Sequence, residues 1–147
     1  SALEELLDLG GLPPSTRTVN LAGESLKTEL VRRIYDTGRV EKVYDLYGPS
    51  ETTTYSTFTL RRREGKATIG RPIANTKIYL LDGALQPVPI GVTGEIFIGG
   101  AGVARGYLNR PELTAEKFHR NPFSRDPKAC LYRSGDLGRY DSAGNVE

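Results

Sequence analysis

The chain has 147 residues, 37% of them hydrophobic and 26% charged, and its formal net charge at pH 7 is +2. This composition is typical of a globular chain of about one domain and excludes a disordered one. The small net charge gives no support for a nucleic-acid partner or an anionic membrane, and no apolar run reaches membrane-spanning length. The single cysteine, Cys130, excludes an internal disulfide. We therefore expect a cytoplasmic protein with neither nucleic acid nor a membrane as a partner.

The N-terminal part of the sequence predicts a helix followed by a strand–helix–strand unit. Ser1 and Glu4 have the spacing of a capping box at the start of the first helix, residues 1–9. The unit that follows comprises a strand over residues 16–21, a helix over 26–36 with Ser25 as its N-cap, and a strand over 40–46. A crossover of this length joins parallel strands, so the strand ends at Gly23 and Gly48 are expected to meet at one edge of the sheet.

From Thr52 onward the sequence is rich in short strands separated by glycine and proline turns. Strands are predicted over residues 52–60, 68–69, 77–81, 95–98, 131–133 and 137–140, with one helix over 111–118. Closely spaced strands of this kind indicate a small antiparallel sheet or a distorted β-barrel. We place a boundary near residue 64, so that residues 1–63 complete an α/β layer and residues 64–147 form a β-rich subdomain. The run of three arginines, residues 61–63, is interpreted as a solvated edge.

The stretch of residues 42–51, Lys-Val-Tyr-Asp-Leu-Tyr-Gly-Pro-Ser-Glu, is the most informative for function. It begins as a strand and stops at Gly48-Pro49, a pair that opens turns. Tyr47, Ser50 and Glu51 therefore place an aromatic ring, a hydroxyl and a carboxylate at the C-terminal end of a strand. Ligands of open α/β sheets bind at such ends, so these side chains are candidates for a nucleotide site.

The glycine-rich segment, residues 99–106, has the composition of a phosphate-binding loop but not its pattern. It lacks the Gly-Lys-Ser/Thr ending of a P-loop, and its glycines are not spaced as in a dinucleotide fingerprint. We therefore predict a structural role for this segment, with tight turns and a close approach of the backbone to its neighbours.

Several stretches, taken together, resemble one family. Residues 47–51, Tyr-Gly-Pro-Ser-Glu, resemble the Tyr-Gly-Pro-Thr-Glu motif of the adenylate-forming enzymes, and residues 94–114 resemble their glycine-rich core motif. Residues 132–137, Tyr-Arg-Ser-Gly-Asp-Leu, are similar to their Tyr-Lys/Arg-Thr-Gly-Asp-Leu motif. The similarity runs in order through the whole chain. The sequences of residues 69–75, Ile-Gly-Arg-Pro-Ile-Ala-Asn, and of residues 109–114 favour the adenylation domains of nonribosomal peptide synthetases within this superfamily.

This resemblance implies a two-step reaction. An amino acid or a related acid would attack the α-phosphate of ATP to give an acyl-adenylate and pyrophosphate, and the acyl group would then pass to a carrier domain. The implied cofactors are ATP and Mg²⁺, with phosphopantetheine on the separate carrier domain. The implied fold is an α/β part followed by a β-rich part, with this chain as a C-terminal piece of the large subdomain. Its partners would be the remaining parts of the adenylation domain and the carrier domain.

The resemblance also assigns roles to single residues. The implied nucleotide-binding residues are Gly23, Tyr47, Gly48, Ser50 and Asp136. Tyr47 would stack on adenine, and Asp136 would accept hydrogen bonds from both ribose hydroxyls. Ser50 would bind the α-phosphate and Glu51 would hold Mg²⁺, which makes these two the implied catalytic residues. Ser50 and Ser134 replace threonines of the family and keep the hydroxyl group.

Five positions match the variable lining of the family's acid pocket: Asn20, Ala22, Leu46, Thr54 and Tyr55. Asn20 and Ala22 share one face of a strand because side chains alternate with a period of two. The acid itself is not identified, because the family's aspartate that holds the substrate amine lies upstream of this sequence. The family's phosphate loop also lies upstream, and its hinge and its lid with the catalytic lysine lie downstream. We therefore expect both ends to be cut and the chain alone to be inactive.

Two other interpretations stay open. One is an acyl- or aryl-CoA ligase of the same superfamily, and the other is a non-catalytic scaffold or interaction module. Taken singly, each site residue also has a structural explanation, such as a turn-capping role for Glu51 and Asp136. The presence of both acids in the ordered set of motifs argues against a degenerate domain.

Overall fold

Two four-stranded sheets form the framework of residues 2–147, the part of the chain that the computed structural model describes. The first sheet contains, in spatial order, β1 Thr18–Ala22, β2 Lys42–Tyr47, β3 Thr57–Arg61 and β4 Arg71–Pro72. The second contains β5 Thr76–Leu81, β6 Gly94–Gly100, β7 Phe118–Arg120 and β8 Cys130–Gly138, in the spatial order β5-β6-β8-β7. The helices are α1 Ala2–Asp8, α2 Thr28–Asp36 and α3 Pro111–Lys117. No helix in the described part of the chain has the length and apolar character needed to cross a membrane.

The predicted strand–helix–strand unit is present. β1 pairs with β2 in parallel, with Val19 opposite Val43 and Ala22 opposite Leu46. α2 covers one face of this pair because its apolar residues recur at helical spacing and pack on the strands. The core so formed contains the buried residues Leu12, Val19, Leu26, Leu30, Val31, Ile34, Val40 and Val43. The capping box predicted at Ser1 lies outside the described residues.

The N-cap of α2 is Lys27, so the prediction that Ser25 caps this helix is wrong. Lys27 has an extended backbone, with φ −68° and ψ 138°. Lys27 stays outside the helix because the preceding residue, Leu26, is buried in the core and its carbonyl oxygen accepts a hydrogen bond from Arg61 at 2.8 Å. The helix therefore begins at Thr28, without a side-chain cap.

The chain reverses between β2 and β3 through residues 48–56, which we call the site loop. The strand predicted over residues 52–60 is therefore wrong in its first half. A 3₁₀ turn, Ser50–Thr52, is followed by two residues in the left-handed region, at φ 64° and 72°. The backbone amide of Ser56 donates to the carbonyl oxygen of Tyr47 at 2.7 Å and closes the loop. The antiparallel pairing of β3 with β2 requires this reversal of the chain. The reversal overrides the β-propensity of the threonines.

Arg61 is buried, so the interpretation of residues 61–63 as a solvated edge is wrong for this residue. Its side chain is 2% exposed, and its guanidinium lies 2.7 Å from the Asp45 carboxylate. Both side chains are on the face of the first sheet that α2 covers. Burial raises the pKa of Asp45, and the hydrogen bond and charge of Arg61 oppose that rise. Arg63, by contrast, forms an exposed ion pair with Asp36.

The second sheet is open, so of the two predicted forms the antiparallel sheet is present and the barrel is not. β8 is one continuous strand where two were predicted. Its register against β6 shifts: Phe97 pairs with Arg133 and Glu95 pairs with Leu137, so that residues 134–136 lie opposite Ile96 alone. Such a bulge frees residues from the regular pairing of a strand without ending it.

We predict that Arg61→Ala lowers the free energy of unfolding by about 3–5 kcal/mol, because it leaves the Asp45 carboxylate buried without its partner. Arg63→Ala is the matched control, since an exposed pair contributes no more than about 1 kcal/mol. Urea unfolding of both variants measures the difference. Equally small effects in the two variants would contradict a structural role for the buried pair.

Candidate functional site

A cavity of about 600 Å³ lies between the two sheets, at the C-terminal ends of the parallel strands β1 and β2. Gly23, Leu46, Tyr47 and Gly48 line it from the first sheet, and Asp136 lines it from β8. The sheets are held together beside it by a shared core, in which Tyr47 packs against buried residues of the second sheet. The strand ends that were expected to meet, at Gly23 and Gly48, therefore do meet.

A hydrogen bond connects the two sheets at this cavity. The hydroxyl of Tyr47 donates to Asp136 Oδ2 at 2.6 Å. Burial and, secondly, the hydrogen bond to the Asp136 carboxylate raise the pKa of Tyr47 well above its ordinary value. Tyr47 is therefore a neutral donor at physiological pH. Because a carboxylate has about four acceptor positions, Asp136 retains the capacity to accept further O–H donors.

The bulge of β8 is shaped by Ser134. Its hydroxyl donates to the carbonyl oxygen of Ile96 at 2.8 Å and accepts a hydrogen bond from the backbone amide of Asp136 at 3.0 Å. The serine thus attaches the bulge to β6 on one side and fixes the backbone of Asp136 on the other. The hydroxyl that the sequence keeps at this position therefore orients the carboxylate through the backbone.

The site loop folds back on itself at Gly48. A Cβ atom there would lie 2.6 Å from the backbone nitrogen of Ser56, so a larger residue does not fit without a shift of the backbone. Thr52 and Ser56 are buried, and their hydroxyl oxygens are 2.6 Å apart. The loop is therefore tied internally. The loop carries Ser50, which is exposed, and Glu51, which is half-buried. Neither is among the described residues that line the cavity.

The carboxylate of Glu51 is bound by a tyrosine of the second half of the chain. The hydroxyl of Tyr107 donates to Glu51 Oε1 at 2.5 Å. Burial opposes the charged form of Glu51, but the hydrogen bonds from Tyr107 and Tyr132 and the charge of Lys117 outweigh it and lower the pKa of this carboxyl. Burial and the hydrogen bond to Glu51 raise the pKa of Tyr107. Glu51 is therefore an anion held by a neutral hydroxyl at neutral pH.

The glycine-rich segment packs against the site loop. The backbone amide of Ala104 donates to the carbonyl oxygen of Glu51 at 2.8 Å, and the hydroxyl of Thr53 donates to the carbonyl oxygen of Gly102 at 2.7 Å. Gly106 has φ +135°, and a Cβ atom there would lie 2.4 Å from a side-chain methyl carbon of α3. These contacts confirm the tight turns and close backbone approach predicted for the segment.

The five residues predicted to line an acid pocket fall into two groups. Asn20, Ala22 and Leu46 lie on the face of the first sheet opposite to α2, with Ala22 paired with Leu46. Thr54 and Tyr55 are exposed on the site loop. Leu46 also lines the cavity of about 600 Å³, whereas Ala22 lines a second cavity of about 280 Å³. The structure thus gathers three of the five on one sheet face.

Glu51 is the candidate metal ligand. Among residues 2–147 no group of three or more His, Cys, Asp or Glu side chains could hold a metal ion. A single carboxylate nevertheless suits Mg²⁺, which is bound through one or two carboxylates together with phosphate oxygens and water. The donor chemistry therefore fits a magnesium–nucleotide complex and does not fit a metal centre built from protein ligands alone.

Two residues near the site were not predicted from the sequence. Tyr107 is 56 positions from Glu51 in the chain, and no local spacing relates the two. Arg61 could have been found, because an antiparallel return from β2 places Asp45 and Arg61 on the same face at diagonal positions.

Comparison with known proteins points to one family. Residues 2–108 match the family model described as AMP-binding enzyme. All of this chain aligns with part of a linear gramicidin synthase from Brevibacillus parabrevis at 54% identity, and with AMB antimetabolite synthetase AmbB from Pseudomonas aeruginosa at 44% identity. The chain spans 3% of the first of these proteins and 12% of the second.

Solved structures give the same result for the fold. The chain is similar to holo-AB3403, a four domain nonribosomal peptide synthetase bound to AMP and glycine, with a TM-score of 0.84 and 36% identity over 96% of this chain and 10% of that one. It is also similar to PA1221, a nonribosomal peptide synthetase protein containing adenylation and PCP domains, with a TM-score of 0.79 and 34% identity over 95% of this chain and 28% of that one. The expected α/β part followed by a β-rich part is thereby confirmed.

We predict that Gly106→Ala destabilises the protein, because a non-glycine residue held at this φ costs about 1–3 kcal/mol and its methyl group meets α3. Gly83→Ala is the matched control, since a Cβ atom at that position has nothing within 4 Å. Urea unfolding is expected to show the loss for Gly106→Ala and a change within about 0.5 kcal/mol for Gly83→Ala. A Gly106→Ala variant as stable as the control would argue against the close packing of the glycine-rich segment.

Proposed function

This chain belongs to the AMP-binding enzyme family, and on that basis we propose that it is part of an adenylation domain of a nonribosomal peptide synthetase. The parent protein activates an amino acid or a related carboxylic acid with ATP, and then passes the acyl group to the phosphopantetheine thiol of a carrier domain. The observation that carries this proposal is the Tyr47–Asp136 pair at the cavity between the sheets. The similarity to parts of peptide synthetases favours this activity over that of a CoA ligase.

Tyr47 and Asp136 bind the nucleoside part of ATP in this proposal. Tyr47 presents an aromatic ring at the cavity wall, and stacking of a base on such a ring contributes about 1–3 kcal/mol. Asp136 accepts hydrogen bonds from the ribose hydroxyls, and bonds to an ionised acceptor are about twice as strong as neutral ones. Gly23 and Gly48 line the same cavity and add no side chain that would occupy it.

Ser50 and Glu51 act at the phosphates. The carboxylate oxygen of the acid attacks the α-phosphorus, and the bond from this phosphorus to the bridging oxygen breaks, so that pyrophosphate leaves. The exposed hydroxyl of Ser50 donates to the α-phosphate. Glu51, whose lowered pKa keeps it charged, would hold Mg²⁺. When bound, this ion neutralises charge on the phosphate oxygens.

Because the cavity lining is acidic, binding of a triphosphate requires cations from outside this chain. Besides the Asp45–Arg61 pair, its lining carries the acids Glu24, Asp136 and Glu147, of which Glu147 is paired with Arg139 at 2.9 Å. The remaining negative charge, on Glu24 and Asp136, repels a bare triphosphate. We propose that the remaining parts of the adenylation domain supply positive groups, which stabilise the charge that develops on the α-phosphate.

The acid being activated lies against Asn20, Ala22, Leu46, Thr54 and Tyr55. The shared sheet face of the first three supports this assignment. The position of Leu46 in the cavity wall, next to Tyr47, supports a pocket for the acid adjacent to that for the nucleotide.

We predict that the chain by itself does not catalyse ATP–pyrophosphate exchange that depends on an amino acid, because it lacks the cationic groups described above. The complete adenylation domain, assayed against a panel of amino acids, is expected to do so. Strong exchange by residues 1–147 alone would contradict the division of the site between this chain and the rest of the domain.

In the complete domain, Asp136→Ala is expected to raise the KM for ATP by about tenfold or more, because it removes charge-assisted hydrogen bonds to the ribose. Glu112→Ala, which removes an exposed acid from α3, is the control and leaves the KM unchanged. Steady-state exchange kinetics measure both. An unchanged KM in Asp136→Ala would remove this residue from the ribose site.

A further inference from the structure

Glu51 is held at two points by one short segment of the chain. The backbone amide of Ala104 binds its carbonyl oxygen at 2.8 Å, and the hydroxyl of Tyr107 binds its carboxylate oxygen Oε1 at 2.5 Å. Because the backbone and the tip of the side chain are fixed from the same side, rotation about the intervening bonds is restricted. The site loop thus presents a carboxylate with a defined orientation.

Tyr107 is itself fixed by its surroundings. Its backbone amide donates to the hydroxyl of Thr114 at 2.9 Å. Its ring packs edge-on against Phe118, at a centroid distance of 5.4 Å, and Phe118 in turn packs against Tyr132 at 5.2 Å. The hydroxyl of Tyr107 is therefore placed by a cluster of three rings and not by contact with Glu51 alone.

The chemistry of this contact leaves Glu51 able to bind a cation. A phenol is a neutral donor, so it orients a carboxylate without neutralising the charge that a metal ion requires. A lysine or arginine in the same place would compete with the metal ion. Lys117 is the cation whose charge lowers the pKa of Glu51, and its ammonium group lies 3.4 Å from the carboxylate of Glu116.

We propose that Tyr107 is a positioning residue, which holds one oxygen of Glu51 so that the carboxylate faces the magnesium ion of a bound nucleotide. This inference rests on the proposed function, which assigns Mg²⁺ to Glu51. It adds a residue of the glycine-rich core motif to the nucleotide site, although that residue does not itself touch the nucleotide.

The test compares Tyr107→Phe with the unmodified protein in the complete adenylation domain. The substitution removes the hydroxyl and keeps the ring against Phe118. Tyr140→Phe is the matched control, because it removes a hydroxyl that donates to the carbonyl oxygen of Ile78 at 2.9 Å. Calorimetry gives the dissociation constant for ATP in Mg²⁺ and in EDTA. The constant in EDTA divided by the constant in Mg²⁺ measures the contribution of the metal ion.

We expect Tyr107→Phe to reduce this ratio about tenfold, the size of one hydrogen bond to a charged group, and to leave the constant in EDTA unchanged. The Mg²⁺ concentration for half-maximal pyrophosphate exchange is expected to rise by a similar factor. In a Glu51→Gln background the effect of Tyr107→Phe on the ratio is expected to disappear, because the two residues act as a pair. Tyr140→Phe should change none of these values.

Two results would overturn the inference. One is an unchanged ratio in Tyr107→Phe, whether affinity is unaltered or falls equally in Mg²⁺ and in EDTA. The other is a change in the ratio that persists in the Glu51→Gln background, which indicates a purely structural role. Failure of the proposed function looks different, because the unmodified domain would then bind no ATP in either condition.

Discussion

The candidate site depends on the hydrogen bond between Tyr47 and Asp136, because it joins two sheets that are built from different parts of the chain. The two residues are 89 positions apart, and neither sheet contains both. Their distance is set by the core that the sheets share, to which Ile96 and Val146 contribute. The geometry of the site is thus a property of sheet packing, and substitutions in that core act on it without touching a ligand.

The site loop combines exposure with rigidity. Its polar residues reach solvent, yet it is tied by the buried hydroxyls of Thr52 and Ser56, by the amide of Ala104 and by the phenol of Tyr107. A loop with this many attachments keeps its shape when no ligand is present. Such preorganisation lowers the cost of orienting catalytic groups during binding. The glycine-rich segment contributes to the site by supporting this loop.

Local patterns predicted much of the fold, and contacts between distant residues account for what they missed. Hydrophobic periodicity was sufficient to predict α2 and the parallel strands, and the ordered motifs were sufficient to identify the family. The burial of Arg61 could have been predicted only by pairing β3 with β2, because the antiparallel register brings Arg61 to the sheet face that carries Asp45. The site loop contradicts the β-propensity of its threonines because the chain has to reverse there. The contact of Tyr107 with Glu51 has no sequence signal, and the roles of the site residues remain predictions.

The bulge of β8 adds two residues to the strand, since Phe97 and Glu95 pair with Arg133 and Leu137. Side chains alternate between the faces of a strand with a period of two, so an even insertion leaves every residue on either side of it facing as before. β8 can therefore carry the Asp136 segment in its middle while both of its flanks keep the pairing with β6 that the second sheet requires.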